Sequence, residues 1–90
     1  MLRITTEQTV RTVTLRLEGR LQGPWVTLLA DCWRNQQAEA NGRQLCVDLN
    51  GVTFIDSAGR DRLTRMYHEG AAFVADDLET KAIVAEILES

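Results

Sequence analysis

Residues 47–59 have the sequence Val47-Asp48-Leu49-Asn50-Gly51-Val52-Thr53-Phe54-Ile55-Asp56-Ser57-Ala58-Gly59. The strand-favouring segment Leu45–Leu49 is short and lies between Gly42 and Gly51, which predicts a central strand buried on both faces. Val52–Ile55 then continues in apolar surroundings. A helix is predicted to begin near Asp56-Ser57 and to run to about Glu69, with Gly70 just after its end.

The flanking sequence predicts the other elements by its hydrophobic periodicity. Alternation around Leu2–Ile4 and Val13–Leu17 indicates two half-buried strands, joined as a hairpin through residues 6–9. Further periodicity predicts a helix over about 25–40, a fourth strand at Ala71–Ala75 and a third helix over about 77–89. The order β-β-α-β-α-β-α indicates an α/β fold, a four-stranded mixed sheet with helices packed mainly on one side. We expect a single domain, residues 1–90.

Details of the helices follow from the same patterns. Asp76 and Asp77 are predicted to cap the third helix, with Asp76 and Glu79 forming a capping box. Residues expected on the buried faces are Trp25, Val26, Leu28, Leu29, Cys32 and Trp33 in the first helix, Leu63, Met66 and Tyr67 in the second, and Leu78, Ile83, Ile87 and Leu88 in the third.

Composition and charge exclude several classes of function. Ten Lys and Arg against 13 Asp and Glu give a net charge of −3, whereas nucleic-acid binding needs clustered cations. No apolar run approaches the roughly 20 residues that span a bilayer, and the first residues lack the features of a signal peptide. We therefore expect a soluble cytoplasmic protein with no nucleic-acid partner and no membrane insertion.

No pattern of catalytic or metal-binding residues is found. The only histidine, His68, lies about 16 Å along the predicted helix from Ser57, too far for a Ser–His dyad. The six glycines stand singly, so no phosphate-binding loop is predicted. Cys32 and Cys46 lack further ligands and are expected in the core. We predict a protein that is not an enzyme and has no cofactor or metal.

The stretch from Val47 to Gly59 resembles the signature of the STAS family, the domains named for sulphate transporters and anti-sigma factor antagonists. In that family a buried strand is followed by an apolar pair and then by Asp-Ser/Thr-x-Gly at the start of a helix. Upstream, Leu15-Arg16-Leu17-Glu18-Gly19-Arg20-Leu21 is similar to the family's second strand and the turn after it. The resemblance extends over nearly the whole chain.

The resemblance implies a bacterial regulatory domain that is modified by its partner. In anti-sigma factor antagonists, a kinase that is also the anti-sigma factor phosphorylates the serine after the aspartate, and a PP2C-type phosphatase resets the cycle. Ser57 is the matching residue. Asp56 would orient Ser57 or cap the helix, Gly59 would allow a partner's backbone to approach, and Arg60 would be able to pair with the phosphate.

The chain departs from the family pattern at the expected contact surface. Gln22 stands where an acidic residue is usual, and Arg60-Asp61 replace Leu-Gly after the Asp-Ser-x-Gly motif. We expect partner binding through the surface formed by Gln22, Trp25 and the start of the second helix. Two other functions stay open: a small subunit that binds the ATPase of a lipid-transport ABC system, and a signalling scaffold subunit without phosphorylation. The oligomeric state is also open.

Overall fold

A four-stranded mixed sheet forms the centre of the computed structural model, which describes residues 1–89. The strands lie in the order β1-β2-β3-β4; β1 is antiparallel to β2, and the β2–β3 and β3–β4 pairs are parallel. The elements in chain order are β1 (Leu2–Gln8), β2 (Thr12–Leu21), α1 (Pro24–Glu39), β3 (Gln44–Ile55), α2 (Ser57–His68), β4 (Ala72–Val74) and α3 (Leu78–Leu88). The predicted α/β architecture and element order are confirmed.

The core lies between the helices and one face of the sheet. Along β2, Val13, Leu15 and Leu17 are fully buried, while Thr14 is half-buried and Arg16 and Glu18 are exposed. This period of two places every second side chain on the face that packs against the helices. The buried residues that complete the cluster include Leu29 and Trp33 of α1, Val47 and Leu49 of β3, Leu63 and Met66 of α2, and Ile87 of α3.

The prediction that β3 is buried on both faces is wrong. Val47 and Leu49 are fully buried, but Cys46 and Asp48 are only half-buried because they face the side of the sheet that has no helices. On that open side, Arg16 lies 2.7 Å from the Glu7 carboxylate and 3.8 Å from the Asp48 carboxylate. Charged side chains from three neighbouring strands therefore lie close together on this second face.

Both central strands run further than their hydrophobic pattern predicted. β2 continues through Gly19 to Leu21, and β3 continues through Gly51 to Ile55, with register shifts between the two. Gly51 permits this because a Cβ there would lie 2.9 Å from the Leu17 carbonyl oxygen. The glycine that was expected to end the strand instead lets the two backbones approach closely.

The helices α1 and α2 pack mostly as predicted. Pro24 occupies the first turn of α1, where its missing N–H leaves no donor unsatisfied, and the Trp33 indole donates to the Glu69 carboxylate at 2.8 Å. Leu28, expected on the buried face, is 41% exposed. Cys32 is half-buried and not in the core as predicted; burial, helped by Asp31, raises the pKa of its thiol.

The start of α3 differs from the predicted capping box. Asp77 alone is the N-cap, and its carboxylate accepts from the Thr80 N–H at 3.1 Å. Asp76 instead pairs with Asn50 through two hydrogen bonds of 3.1 and 2.6 Å. Two hydrogen bonds from Thr80 lower the pKa of Asp77 below its ordinary value; the bond from the hydroxyl has the larger effect and the bond from the N–H the smaller. In the folded chain, Asp77 therefore stays ionised to a lower pH than in the unfolded chain. The charged cap stabilises the fold above the unfolded pKa, and this stabilisation is lost as pH falls through the lowered pKa.

The apolar side of α3 is narrower than predicted. Ile87 is 1% exposed, and Ile83 is half-buried against the core. Leu78 and Leu88, both expected to face inward, are 86% and 50% exposed. Leu78 is the first residue of α3 and Leu88 is its last.

A single charge placed at Val47 tests the assignment of the core. Val47→Asp is expected to lower the free energy of unfolding by more than about 3 kcal/mol, because the carboxylate would be buried without a partner. The control is Val10→Asp in the β1–β2 turn, where Val10 is 92% exposed. Urea unfolding followed by tryptophan fluorescence should show a change within about 0.5 kcal/mol for the control. Equal stability of the two variants would contradict the packing described.

Candidate functional site

The candidate site lies at the edge of the sheet where the parallel strands β2 and β3 both end. The chain leaves β2 at Leu21 and β3 at Ile55, so the β2–α1 loop and the start of α2 are neighbours. The Asp56 N–H donates to the Leu21 carbonyl oxygen at 3.1 Å and joins the two loops directly. Loops at the carboxyl ends of parallel strands are a common position for binding sites.

The Asp56 carboxylate connects the two halves of this site. One oxygen, Oδ1, accepts from the Gly59 N–H at 2.7 Å and so caps α2. The other, Oδ2, accepts from the Gly23 N–H at 3.1 Å, just before α1. Gly23 has φ 55°, a conformation that few other residues adopt, and it presents its N–H to Asp56. A single side chain therefore fixes both loops in one arrangement.

Ser57 is the first residue of α2, and its side chain is exposed. Within residues 1–89 its hydroxyl makes no hydrogen bond. Ala58 beside it is also exposed and small. The hydroxyl therefore lies open to solvent at the positive end of the helix dipole, where the environment favours negative charge.

Gly59 is buried, so it is not open to an approaching partner as its role in the motif suggested. A Cβ at this position would lie 2.8 Å from the Leu21 carbonyl oxygen and 3.1 Å from the side chain of Ile55. Glycine is required here because the first turn of α2 packs directly on the ends of β2 and β3. Its contribution to the site is to bring Ser57 close to the β2–α1 loop.

Arg60 and Asp61 follow on α2, and both face the gap between α2 and α3. The Arg60 guanidinium pairs with the Glu86 carboxylate of α3, whereas Asp61 is exposed. Both residues line an open depression of about 390 Å³ between α2 and α3, together with Thr64, Glu86 and Ile87. The cation in the first turn of α2 is thus already engaged with an acidic group.

Gln22 and Trp25 form the β2–α1 side of the site. Gln22 is half-buried, and its carbonyl oxygen accepts from the Trp25 N–H at 3.1 Å. Trp25 is also half-buried and packs partly against the core. The indole is therefore both the first inward residue of α1 and a partly exposed surface group.

Two residues at the same edge were not singled out from the sequence. The Arg20 guanidinium lies over the Phe54 ring, 4.7 Å from its centre, and Phe54 is 42% exposed. The pairing of positions 20 and 54 in the parallel register brings them together. Arg20 and Phe54 become neighbours only because β2 continues past Gly19 and β3 past Gly51. The hydrophobic pattern did not predict either extension, so it did not predict this contact.

Metal ligands and membrane-spanning helices are further features that would indicate a function. In residues 1–89, no group of three or more His, Cys, Asp or Glu side chains is placed to hold a metal ion. His68 ends α2, opposite the end that carries Ser57. No helix in the described part of the chain has the length and hydropathy to cross a membrane.

Comparisons with known proteins identify the fold. No protein-family model and no curated protein sequence matches the chain. An anti-sigma factor antagonist from Mycobacterium paratuberculosis superimposes with a TM-score of 0.80 at 19% identity, covering 94% of this chain and 76% of that one. The anti-sigma factor antagonist SpoIIAA in its unphosphorylated form gives 0.57 at 19% identity, covering 92% and 96%.

The same fold also occurs within a larger protein. The structure of Mglu gives a TM-score of 0.64 at 22% identity, and the match covers 83% of this chain but only 19% of Mglu. At these identities the likeness concerns the fold, and the chain has the STAS, or SpoIIAA-like, fold. What the site binds has to be argued from its own residues.

Replacing Asp56 with asparagine tests the connection between the two loops. Asp56→Asn keeps one acceptor, so we expect the Gly59 amide to stay protected from hydrogen exchange and the Gly23 amide to lose protection. Asp56→Ala should expose both amides and lower the free energy of unfolding by about 1–2 kcal/mol. Amide exchange measured by NMR distinguishes these outcomes.

The matched control is Asp77→Asn, which changes the cap of α3, where both acceptor oxygens contact Thr80. It should leave exchange at Gly23 unchanged. If Gly23 exchanges at the same rate in the parent and in Asp56→Asn, the carboxylate does not hold the β2–α1 loop.

Proposed function

We propose that this chain is a non-catalytic regulatory domain that acts by binding proteins, as an anti-sigma factor antagonist does, and that phosphorylation of Ser57 by a partner kinase switches it. The observation that carries the proposal is the exposed Ser57 hydroxyl in the first turn of α2. It follows a capping aspartate in a fold shared with anti-sigma factor antagonists.

The geometry of the site favours protein recognition. Ser57, Ala58 and Asp61 are exposed on α2, and Gln22 and Trp25 are partly exposed on the neighbouring loop and helix. The Asp56 carboxylate holds the two sides together, so a partner would meet a preformed surface, which reduces the entropy lost on binding. This surface is the one that we propose for partner contact.

The proposed modification is a transfer of the γ-phosphoryl group of ATP to Ser57 Oγ. The kinase breaks the bond between the β- and γ-phosphates, ADP leaves, and the hydroxyl proton passes to a base of the kinase. The product gains a charge of about −1.5 to −2. The start of a helix tolerates this charge because its N–H groups and dipole favour anions. The added charge and bulk in the contact surface would weaken partner binding.

In the proposed cycle, the partner is a kinase-type anti-sigma factor in the bacterial cytoplasm. The unphosphorylated chain binds it and releases a sigma factor, which links the domain to regulation of transcription. A PP2C-type phosphatase removes the phosphate from Ser57. The support for this cycle is the resemblance of Asp56-Ser57-Ala58-Gly59 to the family motif, together with the exposure of Ser57.

Phosphorylation is tested directly by intact mass. Incubation with a kinase-type anti-sigma factor from the same genome and ATP should add one phosphate to the parent and none to Ser57→Ala. Thr64→Ala, which removes another hydroxyl from the same helix, should accept phosphate as the parent does. Phosphate on Ser57→Ala would place the modification elsewhere. A parent that binds the kinase but is never phosphorylated would contradict the switch and leave the ABC-ATPase subunit or the scaffold.

A charge reversal at Asp61 tests the proposed contact surface. Asp61 is exposed four residues after Ser57, so Asp61→Lys should change the affinity for the kinase by at least about fivefold. The free energy of unfolding should stay within about 0.5 kcal/mol of the parent. Glu39→Lys makes the same charge change at the other end of α1 and should not alter affinity; titration calorimetry measures both.

Equal affinities for the parent and Asp61→Lys would place the contact surface elsewhere. Arg60→Glu is the less suitable probe, because the new carboxylate would face Glu86 and disturb α3 as well. A change in affinity caused by that variant would therefore not report on the contact surface alone.

A further inference from the structure

The ion pair between Arg60 and Glu86 joins the first turn of α2 to the last turns of α3. The Arg60 side chain is 46% exposed and the Glu86 side chain 58% exposed. Water therefore screens the pair, and such pairs are held weakly. A stronger anion near Arg60 would be able to compete with the Glu86 carboxylate.

Helix α3 depends on few buried side chains. Thr80 and Ile87 are its buried residues, Ile83 and Val84 are half-buried, and Leu78 and Leu88 at its ends are exposed. Ile87, directly after Glu86, lines the depression between α2 and α3. Segments with little buried apolar surface open locally at low free energy, so the Arg60–Glu86 pair acts where α3 is easily displaced.

Ser57 and Arg60 lie on the same side of α2. The two residues are three positions apart on α2, which places their side chains next to each other on the helix surface. A phosphate on Ser57 would offer three acceptor oxygens and about twice the charge of a carboxylate, and arginine binds phosphate through two parallel hydrogen bonds. The nearby acidic groups Asp56 and Asp61 would repel the phosphate, whereas Arg60 is the one cation within four residues of Ser57 in the sequence.

We propose that the Arg60–Glu86 pair couples the state of Ser57 to α3: a phosphate on Ser57 draws Arg60 away from Glu86 and loosens the C-terminal half of α3. The inference rests on the proposed phosphorylation of Ser57. The phosphate competes with Glu86 for Arg60, and the weaker contact between α2 and α3 lets the end of α3 move outward. The modification then changes a second surface as well as the one that carries Ser57.

The experiment uses the full chain with phosphoserine placed at position 57 during translation, so that no kinase is needed. Hydrogen exchange of the amides of residues 83–88, followed by mass spectrometry, should become about two- to fivefold faster than in the unmodified chain. In unmodified Glu86→Gln, exchange should rise to a similar level. Phosphoserine should add nothing further in that variant, because the pair is already lost.

Glu89→Gln is the matched control, since it removes a charge from the end of α3 without affecting Arg60, and exchange in residues 83–88 should stay as in the parent. The proposal is overturned if phosphoserine leaves exchange unchanged, or if it accelerates exchange equally in the parent and in Glu86→Gln. Neither result depends on whether a kinase modifies Ser57, so a failure here is distinct from a failure of the proposed function.

Discussion

The parallel pairing of β2 with β3 is the constraint on which the rest of this structure depends. It buries Leu15 and Leu17 beside Val47 and Leu49, and it brings the ends of both strands to one edge of the sheet. Parallel strands cannot be joined by a tight turn, so α1 has to cross over the sheet between them. The core and the position of the site therefore follow from the same pairing.

Asp56 links the start of α2 to the loop beside it, at the edge where we propose that partners bind. Its carboxylate satisfies an N–H that α2 would otherwise leave unpaired, and it also holds the Gly23 N–H of the neighbouring loop. Because Gly59 allows α2 to start in direct contact with Leu21, the cap and the contact surface occupy the same few residues. A change at Asp56 or Gly59 therefore alters the start of α2 together with the proposed contact surface.

The sequence predicts the repeating parts of the fold well, because alternation along β2 and the helical spacing of Leu63 and Met66 report burial directly. The sequence predicts poorly those features that depend on contacts between residues distant in the chain. The open face beside Cys46 and the pairing of Arg60 with Glu86 arise from tertiary packing. The exposure of Ser57 agrees with its motif. The burial of Gly59 could not be predicted from the sequence, because it results from the packing of α2 against Leu21. Strand continuation through Gly51 was missed because glycine usually marks a break, whereas here it permits close approach of two strands.

The fold alone does not decide what this site recognises, since it is shared with anti-sigma factor antagonists and with part of Mglu. The charged groups around Ser57 are largely used within the chain: Asp56 holds two backbone N–H groups, and Arg60 pairs with Glu86. The groups left on the first turn of α2 are a hydroxyl and a methyl. A partner at the proposed contact surface would meet this small uncharged turn with the exposed Asp61 beside it, so the fit of its shape and its charge opposite Asp61 would both contribute to binding.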